Sequence, residues 1–108
     1  MDYSEHLRRL SIDDDLLLGE QLDLPELSAL DAKTQCLVRL GALIAVSAAA
    51  PSIRREIDDA VSAGADANAI VSVLDAIMPI VGRPRVVTAA PKVALALGED
   101  LDLLSDET

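Results

Sequence analysis

In the stretch AAPSIRRE, Ala49 to Glu56, two arginines and a glutamate follow an almost chargeless run of chain. A carboxyl at the margin of an apolar face can move protons when its surroundings raise its pKa. At 100° per residue, Ile53, Ile57, Ala60, Val61 and Gly64 form one apolar stripe, and Glu56 lies at its edge. Its neighbours one turn away, Ser52 and Ala60, carry no charge. Arg54 with Asp58, and Arg55 with Asp59, are instead spaced to pair across the outer face. Glu56 is therefore the candidate proton-transfer group, set against the plainer reading of a boundary glutamate that reaches solvent.

Arg83 and Arg85 flank Pro84, a residue suited to the first turn of a helix. Backbone donors at a helix start favour anions, and two guanidinium groups could add bidentate carboxylate binding. The same arginines could equally pair with acids of a neighbouring subunit or of the N-terminal segment. Asp75 stands alone in an apolar stretch, so it must find a partner or keep a proton, with Arg39 or Arg85 the natural counter-charge. Cys36, the only cysteine, reads as a small buried hydrophobe. His6 reads as a surface residue. No set of Cys, His and carboxylates has metal-ligand spacing, and nothing calls for a cofactor.

The elements that must position these groups all read as helices, because good helix formers dominate and no β-branched run alternates with polar residues. The spacing predicts a short helix over 3–10 and a second from Ser11 to Gly19, with a connector around Pro25. Asp31 can cap a long helix from Ala32 to about Ala50, stopped by Pro51. Pro51 fits the first turn of the next helix, which runs to Gly64. Asp66 caps another that reaches Gly82, with Pro79 bending its last turn. Pro84 opens a final helix ending at Gly98, with Pro91 inside it.

At 108 residues the chain has room for one domain. Its formal charge of −10 is unevenly spread. Residues 1–31 hold nine acids and two arginines, residues 99–108 hold five acids and no base, and the middle holds five acids and seven bases. Acidic ends argue against nucleic acid as a partner, while an anionic small ligand in the middle segment stays open. The acidic N-terminus lacks the apolar core of a signal peptide, and the longest uncharged apolar run, Leu40 to Ala50, is too short for a bilayer span of about 20 residues. With a single cysteine besides, a soluble cytoplasmic protein is expected.

Two helices have an unusual surface. From Cys36 to Ala50 the one charge is Arg39, and from Ala67 to Gly82 it is Asp75. Helices apolar on nearly all sides need burial on nearly all sides, which a small monomer cannot supply. A flanking layer from the N-terminal helices is the plainer remedy, and burial against other subunits is the expected one.

The order of these features resembles the carboxymuconolactone decarboxylase family, which includes the alkylhydroperoxidase D-like proteins. The likeness covers about Leu30 to Gly98. It is carried by LDAK and LVRL near its start, AVSAG at the helix end from Ala60 to Gly64, and IVSVL followed by PIVGRPR up to Arg85. The resemblance implies an all-α, alkylhydroperoxidase D-like helical bundle that forms a homo-oligomer, a hexamer or else a trimer. The core domain would span 30–98, with acidic N-terminal helices over 1–29 and an acidic tail over 99–108.

The family's redox branch carries Cys-x-x-Cys-x-x-x-His here, which falls on Ala49, Ser52 and Glu56. None of the three is retained, so thiol peroxidase activity is not expected. The decarboxylase branch lacks the cysteines and uses a His at the position of Glu56, with a cationic pocket for substrate carboxylates and no cofactor. Two functions follow. One is a cofactor-independent lyase on a small carboxylated or lactone metabolite, with Glu56 as the catalytic residue and Arg83, Arg85 and Ser52 binding substrate. The other is a non-catalytic, oligomeric ligand-binding or scaffold member of the family. Whether Glu56 lines an enclosed pocket with an arginine separates them.

Overall fold

The computed structural model describes residues 3–12 and 29–98, and every regular element among them is a helix. Ser11, expected to cap a second helix running to Gly19, is instead the last residue of the first helix, its hydroxyl donating to Leu7 O at 2.8 Å. Residues 13–19, the connector at Pro25 and the acidic tail lie outside the described residues. The chain divides into two units, residues 1–31 and 32–108. In the first, α1 (Tyr3–Ser11) is held on its surface by Glu5, whose carboxylate accepts hydrogen bonds from Arg8 at 3.0 Å and Arg9 at 3.2 Å. The two guanidinium groups hold the Glu5 carboxyl below its ordinary pKa.

The second unit is a four-helix bundle of α2 (Ala32–Ala45), α3 (Ala50–Ser62), α4 (Ala67–Val81) and α5 (Arg83–Ala96). Helix α2 packs against each of the other three, and α5 closes on α3 and α4. Cys36, Leu40 and Ile44 repeat at the helical period on α2 and meet Ile53, Ile57 and Ala60 of α3, Ile70 and Leu74 of α4, and Val86, Ala89 and Val93 of α5. The core is entirely aliphatic apart from the thiol. Each fully buried Leu or Ile contributes about 1.5–3 kcal/mol. Gly41 lets α2 and α4 approach closely, since a β-carbon there would lie 3.3 Å from Ile77 Cγ2.

Helix α2 ends at Ala45, earlier than the expected stop near Ala50. The stop is backbone-made: Ser47 adopts φ 58°, its N–H donates to Ile44 O at 3.0 Å, and Ala48 N–H donates to Leu43 O at 2.9 Å. This is the paired closure of a Schellman cap, with serine in the left-handed position usually given to glycine. The four residues from Val46 to Ala49 then turn the chain so that α3 packs back on α2. Pro51 sits in the first turn of α3, as expected. Gly64, with φ 105°, closes α3 in the same manner through Ala65 N–H to Ala60 O at 2.9 Å. Asp66 caps α4, its Oδ1 accepting from Ala69 N–H at 2.8 Å. No described helix is long and apolar enough to cross a membrane.

Candidate functional site

Helix α3 carries two separate sets of chemically capable groups, because residues two apart on a helix point about 200° away from each other. Glu56 lies on the side toward α2 and Arg54 on the side toward α5. On the first side, the buried Cys36 thiol of α2 feels the charge of the Glu56 carboxyl. Burial pushes the thiol above its ordinary pKa, and the negative charge of Glu56 pushes it further. A thiol is a weak donor, and Glu56 Oε2 is buried with no hydrogen-bond partner among the described residues. Such an orphaned acceptor is rare in folded proteins.

On the other side, Ala50, Pro51 and Arg54 of α3 face Pro91, Lys92, Leu95 and Ala96 of α5 across a cleft of about 440 Å³. Both sets of residues follow the three-and-four spacing that keeps them on one helix face. Nearly all of the lining surface is carbon, so Arg54 and Lys92 contribute mainly their aliphatic stems to it. Lys92 Nζ donates to Ala48 O at 3.4 Å. Among the described residues no ion pair engages Arg54, whose expected partner Asp58 is exposed one turn away; Arg55 and Asp59 are likewise unjoined. The cleft therefore has two cationic flanks, an apolar interior and no acid among its lining residues.

Of the residues singled out in the sequence, none of Glu56, Ser52, Arg83 and Arg85 lines this cleft. Ser52 is exposed one turn before Glu56. Arg83 is exposed at the start of α5, while Arg85 Nη1 donates to Ser47 Oγ at 2.6 Å and so braces the cap of α2. Two turns later on the same face of α5, Lys92 braces the next residue, Ala48. Asp75 is exposed on α4 and pairs with neither expected arginine, since Arg39 donates to Gln35 Oε1 at 3.4 Å and Arg85 to Ser47. Its helix leaves that side open in the single chain, so solvent supplies what a counter-charge was expected to supply. Among the described residues no three His, Cys, Asp or Glu side chains cluster as metal ligands.

Sequence reasoning missed Lys92 and read Arg54 as half of a surface pair. The signal was available in part: Pro51 and Arg54 share one helix face, and Pro91 stands next to Lys92, so each helix carries a rigid ring near a cation. Nothing in the sequence brings those two faces together. Comparison of the chain with family patterns, with curated proteins and with solved structures gives no match.

Proposed function

We propose that this chain is a carboxymuconolactone decarboxylase-like, alkylhydroperoxidase D-like protein that assembles with copies of itself and binds a small carboxylated metabolite in the cytoplasm. It works without a cofactor and without thiol peroxidase chemistry. The cleft between α3 and α5 carries this reading: it has cations to hold a carboxylate and no carboxyl, hydroxyl, thiol or imidazole among its lining residues to transform one. Binding without turnover is what such a lining supports. The all-α bundle and the aliphatic surface of α4 and α5 agree with the proposed fold and assembly.

The experiment is to measure binding of a panel of small mono- and dicarboxylates calorimetrically, and to follow the same mixtures by NMR for consumption. Saturable binding with the ligand recovered intact is the expected result. Loss of ligand with time would overturn the non-catalytic reading.

A second reading is favoured by one observation, the buried and unpartnered Oε2 of Glu56. In that reading the protein is a cofactor-independent lyase and Glu56 moves the proton, with Arg83, Arg85 and Ser52 of the assembled protein holding the substrate. Carbon dioxide release from carboxylated lactones would then be abolished in Glu56→Gln, with assembly and melting temperature nearly unchanged. Equal turnover in the variant removes Glu56 from the chemistry.

A further inference from the structure

We infer that the ligand of the α3–α5 cleft is an amphipathic monocarboxylate, a medium-chain apolar acid whose tail lies between Pro51 and Pro91 and whose carboxylate meets Arg54 and Lys92. This rests on the carboxylate-binding reading above and goes further by fixing the site and the polarity of the ligand.

At about 440 Å³ the cleft falls in the range of small-molecule sites, and its walls are almost entirely carbon. A hydroxyl, lactone oxygen or second carboxylate placed against Pro51, Pro91, Leu95 and Ala96 would lose its water and gain no partner. An aliphatic chain there loses only unfavourable contact with water. The interior thus selects an apolar body.

The flanks select the head group. Arg54 and Lys92 bring two positive charges to one cleft from two different helices, and no lining residue opposes them. Arg54 has no hydrogen-bond or ion-pair partner among the described residues, and Lys92 spends one of its three donors, weakly, on Ala48 O. The start of α3 adds to this field. Its N-cap, Ala49, offers no side-chain hydrogen bond, so no acceptor side chain offsets the positive end of the helix dipole beside Ala50 and Pro51. A carboxylate at the cleft mouth would find a planar bidentate donor and a point charge together.

The rings of Pro51 and Pro91 each fix their own backbone torsion, so the walls they contribute are stiff. A preformed wall costs a flexible chain less to bind than one that must first be ordered.

The test is calorimetric titration of the full-length protein with octanoate, with octanamide as the neutral analogue of the same chain and acetate as the charge without the chain. Octanoate is expected to saturate one site per chain, with octanamide and acetate each at least tenfold weaker. Arg54→Gln and Lys92→Met should each weaken octanoate binding roughly tenfold. Arg54→Gln is the safer variant because Arg54 holds no other element in place, and circular dichroism checks that both fold. Equal binding of octanoate and octanamide, or full affinity in both variants, overturns the inference. If octanoate fails to bind while adipate binds and loses affinity in Arg85→Gln, this site is wrong and the broader carboxylate-binding reading stands. If neither acid binds, both fall.

Discussion

Cys36 lies buried where α2 packs against α3, near the charge of Glu56, and the carboxyl alters what the thiol can do. The thiol is 7% exposed, so its thiolate is disfavoured both by burial and by charge. A disfavoured thiolate is a poor nucleophile. Native protein should therefore react with a disulfide reagent orders of magnitude more slowly than protein unfolded in guanidinium, and peroxide reduction with a dithiol should be absent. A native rate matching the unfolded one would contradict this burial. The same shift gives stability a sign against pH. The folded state keeps the Cys36 proton to higher pH than the unfolded state, whose thiol titrates near 8.5. The contribution is thus fully present below about pH 8.5 and is lost as pH rises toward the raised folded value. Melting temperature measured from pH 7.5 to 10 should fall, and Cys36→Ala should remove part of that slope. Burial of Cys36 was legible from its residue type, a small hydrophobe. Its nearness to the charge of Glu56 was not, because sequence reports which face a residue occupies and not the register of two faces in contact.

At the scale of elements, most helix starts and ends could be read from single residues. Asp66, Gly64, Pro51 and Pro84 each act through a local mechanism, and each stands where that mechanism places it. The end of α2 is the exception: Ser47 occupies a left-handed position that composition assigns to glycine, and the bond from Arg85, 38 residues away, helps to fix it. A partner that distant leaves no local trace. Removing the α4 cap in Asp66→Ala should cost about 1 kcal/mol, measured by urea unfolding. Gly41 offers a graded test of the α2–α4 contact. Gly41→Ala gains helix propensity of up to about 1 kcal/mol while pressing on a side-chain methyl 3.3 Å away, so the two effects should nearly cancel. Gly41→Leu has no such room and should destabilise by about 1–3 kcal/mol or more. If the leucine variant were as stable as the parent, the close approach of α2 and α4 would be wrong.

For the whole molecule, the proposed assembly turns on apolar surface that one chain leaves in water. Ile80 is 87% exposed and Val87 63% exposed, and Val71 is also open. The sequence made this excess visible, since α4 carries a single charge and seven large aliphatic residues spread around its axis. What it could not supply is which of them the bundle covers: Ile70 and Leu74 turn inward, and Ile80 does not. Each large aliphatic residue moved from water into an interface gains about 1.5–3 kcal/mol, so a few such residues rival the stability of a small domain, about 5–15 kcal/mol. Ile80→Asp separates the two possibilities. In a monomer it replaces a solvated side chain and should shift stability by no more than about 0.5 kcal/mol. In a closed homo-oligomer, a hexamer or trimer, it places a charge in each equivalent seam and so acts as many times as the symmetry repeats. The parent protein should then run in native mass spectrometry at a multiple of 11.4 kDa, and Ile80→Asp should shift it toward the single-chain mass with a loss of melting temperature. A parent that is folded at 11.4 kDa, with an Ile80→Asp variant equally stable, would leave these aliphatic side chains exposed in solution and end the case for assembly.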